Sequence, residues 1–380
     1  MPLFLADLHL KSRTWTNNAV IRGDAYSVLQ VIAQSTNSPT LIIGGDFFDS
    51  NRPTSEDLYH AATFLKNFDR VYYVRGNHDS CEPHWFESLR CMVNGSVNPQ
   101  ITELHGQIIE IEPSVYLTGI SWMPSRDQLK QTIYDTIQYY CDNYPEDSRL
   151  YCVIHTSFKH LLAFEGAYTL DADAMNEKFG HRNITILVGD IHTRSTRTYY
   201  KKSDQSEGLI IHSPGACYPQ STAEIEEDHC VTQLNFGGGD AAFVASDVTV
   251  RQYLRVVWKD QEALDQILKS LNDDKELKER SVLQPLVWVV VTDMDRMPHI
   301  NPADYPNLLI QIRVEIPDNA DAAKVAGADP ADGYTMQQAL EDEFNDPDMA
   351  AMAIQLINSP SPLEELQRYT DFWKVEKVID

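Results

Sequence analysis

The chain has 380 residues, 43% of them hydrophobic, and a formal net charge of −25 at pH 7. Its length predicts two or three domains. No apolar run approaches the roughly 20 residues of a membrane span, so we expect no membrane protein. The negative charge argues against coating nucleic acid through bulk electrostatics, because phosphate backbones attract Lys and Arg. Any contact with DNA would then use a local basic patch or metal ions.

The N-terminal residues and the cysteines indicate the cellular compartment. Met1 is followed almost at once by the apolar segment LFLA and Asp7, which leaves no room for a signal peptide. The six cysteines are far apart and form no C-x-x-C pair, so we expect reduced structural thiols. Both features predict a cytoplasmic protein in whatever cell expresses it.

Strand-like apolar runs alternate with helical patterns in the first part of the chain. LFLA precedes a predicted helix over 22–35. TLIIGG precedes a second helix over 55–68, which begins at the N-cap signal Thr54/Ser55, and the strand VYYV follows. This repeated β-α-β order favours a sheet flanked by helices.

The pattern becomes richer in strands after residue 100. QIIEIEP and SVYLTGI are predicted to form a hairpin-like pair, 126–140 a helix, and LYCVI, ITILVG, TRTYY, GLIIHS and CVTQLNF successive strands. GGGD at 237–240 is compatible with a hairpin tip, because strand-like alternation continues after it. The expected fold class is α/β (α+β), a two-sheet β-sandwich flanked by helices.

We place the main domain boundary near Val250. Residues 1–250 are predicted to form the sandwich domain, and 251–318 a smaller compact α+β unit. Residues 319–380 are predicted to form a linker and C-terminal helices. The last helix, over 363–378, has a broad apolar face that either docks on a partner or folds back on its own domain.

Five segments end an apolar run with residues that bind metals. A divalent ion that activates water needs hard or borderline ligands on a rigid frame, and the carboxyl ends of strands supply such points. Each motif alone occurs by chance in many proteins, but five in this order predict a two-metal hydrolase of phosphate esters. The residues are Asp7 and His9 in ADLH, Asp46 in IIGGDFFD, Asn77 and His78 in VRGNHD, His155 in VIHTSF, and Asp190 and His192 in LVGDIH.

The motifs D-x-H, G-G-D-x-x-D, G-N-H-D, a strand-end His and G-x-x-H together resemble the calcineurin-like metallophosphoesterases, over about the first 250 residues. GGDFFDS, IIHSPGACYPQS and DVTVRQYLRVV further resemble the SbcD-type nuclease subunit of bacteria and phages, the counterpart of the eukaryotic meiotic recombination and double-strand-break repair nuclease. The resemblance implies DNA as substrate, two divalent ions (manganese first, magnesium as the alternative), a small DNA-capping domain, and an SbcC-type ATPase that binds the C-terminal helices.

The same resemblance implies a role for each motif residue. One ion is held by Asp7, His9 and His192. Asp46 bridges to the second ion, which also takes Asn77, His155 and Asp190. The expected reaction is in-line attack of a metal-activated water on a phosphodiester.

Two residues stand apart from the rest of the motif residues. The resemblance implies that His78 sits beside the ions without binding them and donates a proton to the leaving oxygen. The family usually has His where this chain has Asp190. A carboxylate is a good hard ligand for manganese or magnesium, but it leaves less positive charge to activate water. The alternative is that Asp190 points away and a water completes the shell.

Other polar residues near the motifs are predicted to assist. Asp49 and Asp79 are placed to orient imidazoles or hydrogen-bond turns, with plain turn stabilisation as the alternative. The basic stretch after His192 either docks a DNA backbone or is a solvated hairpin. The basic candidates for DNA contact are Arg52, Arg75, Arg126, Arg194, Arg197, Lys201 and Lys202.

Three functions stay open from the sequence. The first is a metal-dependent DNA exonuclease or endonuclease that works with a partner in repair, recombination or replication. The second is a protein or nucleotide phosphoesterase of the same superfamily, and the third a non-catalytic scaffold. The long C-terminal extension favours the nuclease, and only Asp190 departs from the family's ligand set. Whether the chain forms a homodimer is left open.

Overall fold

The computed structural model describes residues 1–12, 22–79, 89, 92, 100–159, 170–201, 207–220, 224, 227–236, 243–292 and 297–314. The predicted C-terminal helices lie outside these residues. Contacts divide the chain into two units, Met1–Arg255 with Asp265–Trp288 and Asn301–Gln311, and Val256–Leu264 with Val289–Ile300 and Ile312–Asp380. None of the helices in the described residues is long and apolar enough to cross a membrane.

Fifteen strands and six α-helices lie in the described residues. The strands are β1 (Leu3–Leu5), β2 (Thr40–Ile43), β3 (Arg70–Tyr73), β4 (Gln100–Glu103), β5 (Ile108–Glu112), β6 (Val115–Ile120), β7 (Arg149–His155), β8 (Asn183–Gly189), β9 (Ser195–Tyr200), β10 (Glu207–Ser213), β11 (Cys230–Leu234), β12 (Phe243–Asp247), β13 (Tyr253–Val257), β14 (Leu286–Val291) and β15 (Leu309–Val314). The helices are α1 (Asp24–Ser35), α2 (Ser55–Leu65), α3 (Arg126–Asn143), α4 (Ala172–Phe179), α5 (Gln261–Asp273) and α6 (Lys275–Glu279).

The strands form two six-stranded sheets and one three-stranded sheet. The first sheet has the order β12-β11-β1-β2-β3-β4, and the second β5-β6-β7-β8-β10-β9. Strands β1 to β4 are parallel to one another, and so are β6, β7 and β8. The third sheet has the order β13-β14-β15. The two six-stranded sheets are both mixed, and with their flanking helices they confirm the predicted sandwich.

Successive side chains of a strand point to opposite faces of the sheet, and they pack in different core clusters. In β1, Leu3 and Leu5 belong to a core cluster with residues of α1 and α2, whereas Phe4 belongs to a cluster between the two large sheets. A third cluster packs α3 and α4 on the outer face of the second sheet, through residues such as Ile133 and Met175. Successive side chains of a strand point to opposite faces, so strands with apolar residues at consecutive positions lie between two layers.

The individual elements follow most of the sequence predictions. Thr54 is the N-cap of helix α2 and forms a capping box with Asp57, as the N-cap signal indicates. Strands β5 and β6 form the predicted antiparallel pair. The sequence prediction missed β4, α4 and α6, which are short or largely polar. Because β1, β2 and β3 are parallel, their carboxyl ends meet at one edge, and so do those of β7 and β8.

Candidate metal centre

The candidate ligands lie just beyond the carboxyl ends of the parallel strands, in strained backbone. Among the described residues, five non-glycine residues have a positive φ, and four of them are Asp7 (51°), His9 (44°), Asp46 (47°) and Asp190 (77°). A non-glycine residue in this left-handed region is uncommon, and such strain persists only where the surroundings fix it. The strain marks these strand ends as a site built for function.

Three overlapping groups of side chains bring ligand atoms within 4.8 Å of one another. They are Asp7 with His9 and His192, His9 with Asp46 and His78, and Asp7 with Asp46 and His155. Asp7, His9 and Asp46 each belong to two groups. The structure therefore brings the strand-end motifs of both large sheets into one cluster.

Asp46 lies at the centre of this cluster. Its Oδ1 accepts a hydrogen bond from the backbone N–H of His78 at 2.9 Å. Its Oδ2 lies 3.3 Å from Nε2 of His155, 3.7 Å from Nε2 of His9 and 4.0 Å from Nε2 of His78. Burial raises the pKa of Asp46, but His155 and the other imidazoles outweigh it and lower the pKa to about 2. A charged, central carboxylate suits a bridge between two cations.

The ring of His155 is held in one orientation. Its Nδ1 donates to the carbonyl oxygen of Gly44 at 2.9 Å, so Nε2 faces the cluster, 3.0 Å from Oδ1 of Asn77. Burial lowers the pKa of His155, but the charges of Asp46 and Asp7 outweigh it and raise the pKa to about 10. A divalent cation would take the place of the proton at Nε2.

The surroundings of the His9 ring show whether the site fits metal ions. It is 5% exposed, and neither ring nitrogen has a hydrogen-bond partner in the described part of the chain. The nearest carboxylate oxygens lie at 3.4 Å from Nδ1 (Asp49 Oδ1) and 3.7 Å from Nε2 (Asp46 Oδ2). A buried imidazole without a partner is costly unless something else binds it. Since the surrounding donors are carboxylate, amide and imidazole groups, divalent cations fit the site.

Two glycines allow the ligand segments to approach so closely. A Cβ on Gly76 would lie 2.0 Å from Oδ1 of Asp46, and one on Gly45 would lie 2.5 Å from Nδ1 of His155. Gly45 also has a φ of 96°, which side chains rarely tolerate. The glycines in GGD and GNH therefore make room for the ligands beside them.

Asp190 lies at the rim of the cluster. Its backbone N–H donates to both carboxylate oxygens of Asp7, at 3.0 and 3.1 Å. Its own Oδ1 lies 4.0 Å from Nε2 of His155, and its side chain is 40% exposed. It belongs to none of the three groups found among the described residues. Its position as a metal ligand therefore stays a prediction.

His78 is the most accessible imidazole of the cluster, with a side chain that is 40% exposed. Its Nδ1 lies 2.6 Å from the carbonyl oxygen of Asp49. A carbonyl oxygen can only accept, so Nδ1 carries a hydrogen and Nε2 faces the cluster. The ring also contacts His9 edge to face, with 4.8 Å between the ring centroids.

The two predicted assisting carboxylates occupy different positions. Oδ1 of Asp49 lies 2.7 Å from Nζ of Lys11, in addition to its approach to His9. Asp79 is buried and accepts the backbone N–H groups of Phe47, Phe48 and Gly76. Burial and the charge of Asp46 raise the pKa of Asp79 to about 6. Asp79 thereby ties the segment that carries Asp46 to the one that carries Asn77.

Sequence reasoning missed Glu224, which lies between β10 and β11. Its Oε1 lies 3.1 Å from Nδ1 of His192, and its Oε2 accepts the backbone N–H of Gln220 at 2.8 Å. Burial lowers the pKa of His192, but the hydrogen bond to Glu224 outweighs it and raises the pKa. The acidic run that contains Glu224 carries no motif and gives no signal of this role.

The basic candidates for DNA contact differ in whether their side chains pair with another residue and in how exposed they are. Arg75 pairs with Glu103 at 2.8 Å, Arg197 pairs with Asp173 at 2.9 Å, and Lys201 donates to Asn183. The Nε of Arg194 is buried without a hydrogen-bond partner in the described part of the chain. Arg52 and Arg126 are exposed, and Lys202 lies outside the described residues.

Comparison with known proteins identifies the family. The model of the calcineurin-like phosphoesterases matches residues 3–194, about half of the chain, so the chain belongs to this family. As a member, it is a metal-dependent hydrolase of phosphate esters, and its Asp and His clusters are candidate sites for divalent ions. The superfamily predicted from the motifs is confirmed.

Two similar proteins both carry the name DNA double-strand break repair protein Mre11. The one from Saccharolobus solfataricus is 23% identical over 232 residues, which cover 59% of this chain and 56% of that protein. The one from Methanosarcina acetivorans is 22% identical over 293 residues, 74% of this chain and 44% of that protein. The chain thus spans about half the length of these curated relatives. One solved structure aligns over 65% of the chain with a TM-score of 0.40 and 11% identity, too weak a likeness to bear on function.

Proposed function

We propose that the chain is a two-metal DNA nuclease, which hydrolyses phosphodiester bonds at DNA ends in repair, recombination or replication. The observation that carries the proposal is the position of Asp46 Oδ2, within 3.3 to 4.0 Å of Nε2 of His155, His9 and His78. His155 and His9 belong to different proposed ligand sets, so the Asp46 carboxylate between them would serve both ions. The relatives named for double-strand break repair support DNA as the substrate.

We propose two sets of ligands that share Asp46. When bound, the ions supply Lewis-acid activation of water and of the phosphoryl oxygens. Manganese is the first choice and magnesium the alternative, because the carboxylate and amide oxygens suit both ions but a transition metal accepts the imidazole nitrogens more readily. One ion would be held by Asp7, His9, His192 and Asp46, and the other by Asp46, Asn77, His155 and Asp190.

His78 is the proposed proton donor. Because Nδ1 is occupied by the carbonyl oxygen of Asp49, Nε2 is the atom that holds or delivers a proton toward the cluster. Its 40% exposed side chain leaves room for a leaving-group oxygen to approach. The hydrogen bond at Nδ1 also keeps the ring from turning away from Asp46.

The experiment that tests this function offers the purified protein three substrates in parallel with manganese or magnesium. They are linear duplex DNA, single-stranded DNA and a phosphomonoester. We expect metal-dependent degradation of DNA and little hydrolysis of the monoester. Activity on the monoester alone would contradict the nuclease and favour a small-substrate phosphoesterase.

We propose further that an SbcC-type ATPase binds the C-terminal segment. The support is the SbcD-like sequence and the apolar pattern of residues 363–378, which lie outside the described residues. Pulldown of such an ATPase should succeed with the full chain and fail when residue 363 onward is deleted. Equal binding by both forms would contradict this partner site.

A further inference from the structure

A cleft of about 250 Å³ opens beside the candidate metal centre. Asn77 and Asp190 line both the cleft and the edge of the metal-ligand cluster. The rest of the lining comes from the segment after β6, the first turns of α3 and the end of β7. A molecule in this cleft would therefore lie directly against the side of the centre that Asn77 and Asp190 form.

An aromatic ring and a free cation characterise the outer part of the cleft. Trp122 is partly buried and packs against the core cluster that contains Leu129, and its backbone N–H donates to the carbonyl oxygen of Arg75 at 2.8 Å. Arg126 is exposed and makes no ion pair with any residue that the structure describes. A supported indole can stack on a nucleobase, and a guanidinium can bind a phosphate.

The inner part of the cleft is polar. Thr156 and Ser157, which follow His155 at the end of β7, line it and are only 4% and 7% exposed. A cleft of this volume accommodates a single nucleotide, whereas a paired base would have to leave its stack to enter it.

We propose that this cleft binds one unpaired nucleotide of the strand being cut, with its base against Trp122 and a phosphate at Arg126. This inference rests on the proposed nuclease function and narrows its substrate to a strand whose end is single-stranded or frayed. Bound in this way, the nucleotide fixes which phosphodiester reaches the metal centre. Trp122 and Arg126 are positioning residues for the strand.

Removing a base from the substrate tests the proposal most sharply. Single-stranded oligonucleotides are prepared in which one nucleotide at a time, counted from the cleaved bond, is replaced by an abasic tetrahydrofuran residue. We expect kcat/KM of the wild-type protein to fall about 10-fold at one position. Trp122→Leu should lose this discrimination, whereas Trp122→Phe should keep it.

A second variant and a measurement of manganese binding distinguish a positioning role from a defect in folding. Arg126→Gln, at an exposed site, should raise KM for the intact oligonucleotide several-fold with little change in kcat, and all variants should bind manganese as the wild type does. Cleavage with equal kcat/KM for every abasic substrate, or unchanged discrimination in Trp122→Leu, would overturn the nucleotide subsite alone. A wild-type protein that cuts no oligonucleotide would instead overturn the nuclease function on which the subsite depends.

Discussion

The carboxylate of Glu224 lies 3.1 Å from Nδ1 of His192, and His192 belongs to the group of candidate ligands that also contains Asp7 and His9. An imidazole whose Nδ1 donates to a carboxylate presents Nε2 to a metal ion in a fixed orientation and with raised basicity. Glu224 therefore supports the ligand set of one ion although no sequence motif includes it.

Glu224→Gln should weaken the binding of one manganese ion by about 10 to 100-fold, because the ring of His192 loses its charged partner. Isothermal titration with manganese measures this effect without any substrate. Glu227→Gln is the matched control, since Glu227 is a nearby glutamate whose backbone N–H contacts the carbonyl oxygen of Glu224. Equal affinities in wild type and Glu224→Gln would remove Glu224 from the metal centre.

Asp190→Ala should reduce the occupancy or affinity of the second ion, because Asp190 lies 4.0 Å from Nε2 of His155 at the rim of the cluster. Metal stoichiometry by mass spectrometry of the purified variants gives the answer. Asp190→His, which restores the usual family residue, should retain both ions. Full occupancy in Asp190→Ala would favour the alternative in which a water completes the shell.

The structural frame depends on a buried ion pair between Arg251 and Asp24. The guanidinium donates to both carboxylate oxygens, at 2.9 and 2.8 Å, and the two residues are 3% and 0% exposed. Arg251→Met should lower the free energy of unfolding by about 3–5 kcal/mol, because the buried carboxylate keeps the hydrogen bond from the Tyr253 hydroxyl but loses its compensating positive charge.

Urea denaturation measures that loss, and two further variants sharpen it. The double variant Asp24→Leu/Arg251→Met should recover most of the stability, since it removes both charges. Arg280→Met breaks only an exposed pair with Glu276 and should change stability little. Similar losses in Arg251→Met and Arg280→Met would contradict the importance of the buried pair.

His212 predicts an acid-sensitive contribution to stability. It is fully buried between Oγ1 of Thr196 and Oγ1 of Thr232, at 2.8 and 2.9 Å, and so links the two large sheets. Burial, with a smaller effect of Arg194, lowers its pKa to about 3. Between that value and about 6.5, the unfolded chain binds a proton that the folded chain does not, so stability falls as the pH falls.

From pH 7 to pH 5, this single site should remove about 2 kcal/mol of the free energy of unfolding. Urea denaturation of the wild type and of His212→Gln at both pH values isolates the effect, because the other titrating groups are common to both proteins. The loss between pH 7 and pH 5 should be smaller in the variant by about that amount. An identical loss in both proteins would show that His212 is protonated in the fold.

The strand-end ligands could be predicted because their chemistry follows from local order. Asp7, Asp46 and Asn77 each come after a buried parallel strand, and parallel strands end at one edge of a sheet. The periodicity of the apolar runs was enough to place α1, α2 and most strands. Strand β4 was missed because QITE is short and half polar, and α4 because eight residues give little periodicity.

What could not be predicted depends on contacts between distant segments. Glu224 meets His192 across 32 positions, and the cleft brings Trp122 beside Asp190 although no local pattern relates them. The left-handed backbone of Asp7 and His9 is likewise fixed by the segment that follows β2, through hydrogen bonds to the carbonyl oxygens of Gly45 and Asp46. Such relationships appear only when the chain is folded.

In a two-metal nuclease whose proton donor is His78, the variant His78→Ala separates metal binding from turnover. Manganese binding and degradation of linear DNA are measured on the same samples of wild type and variant. The variant should bind manganese as the wild type does and lose about 100 to 10,000-fold in turnover. Near-wild-type degradation of DNA by His78→Ala with its metals in place would rule out His78 as the proton donor.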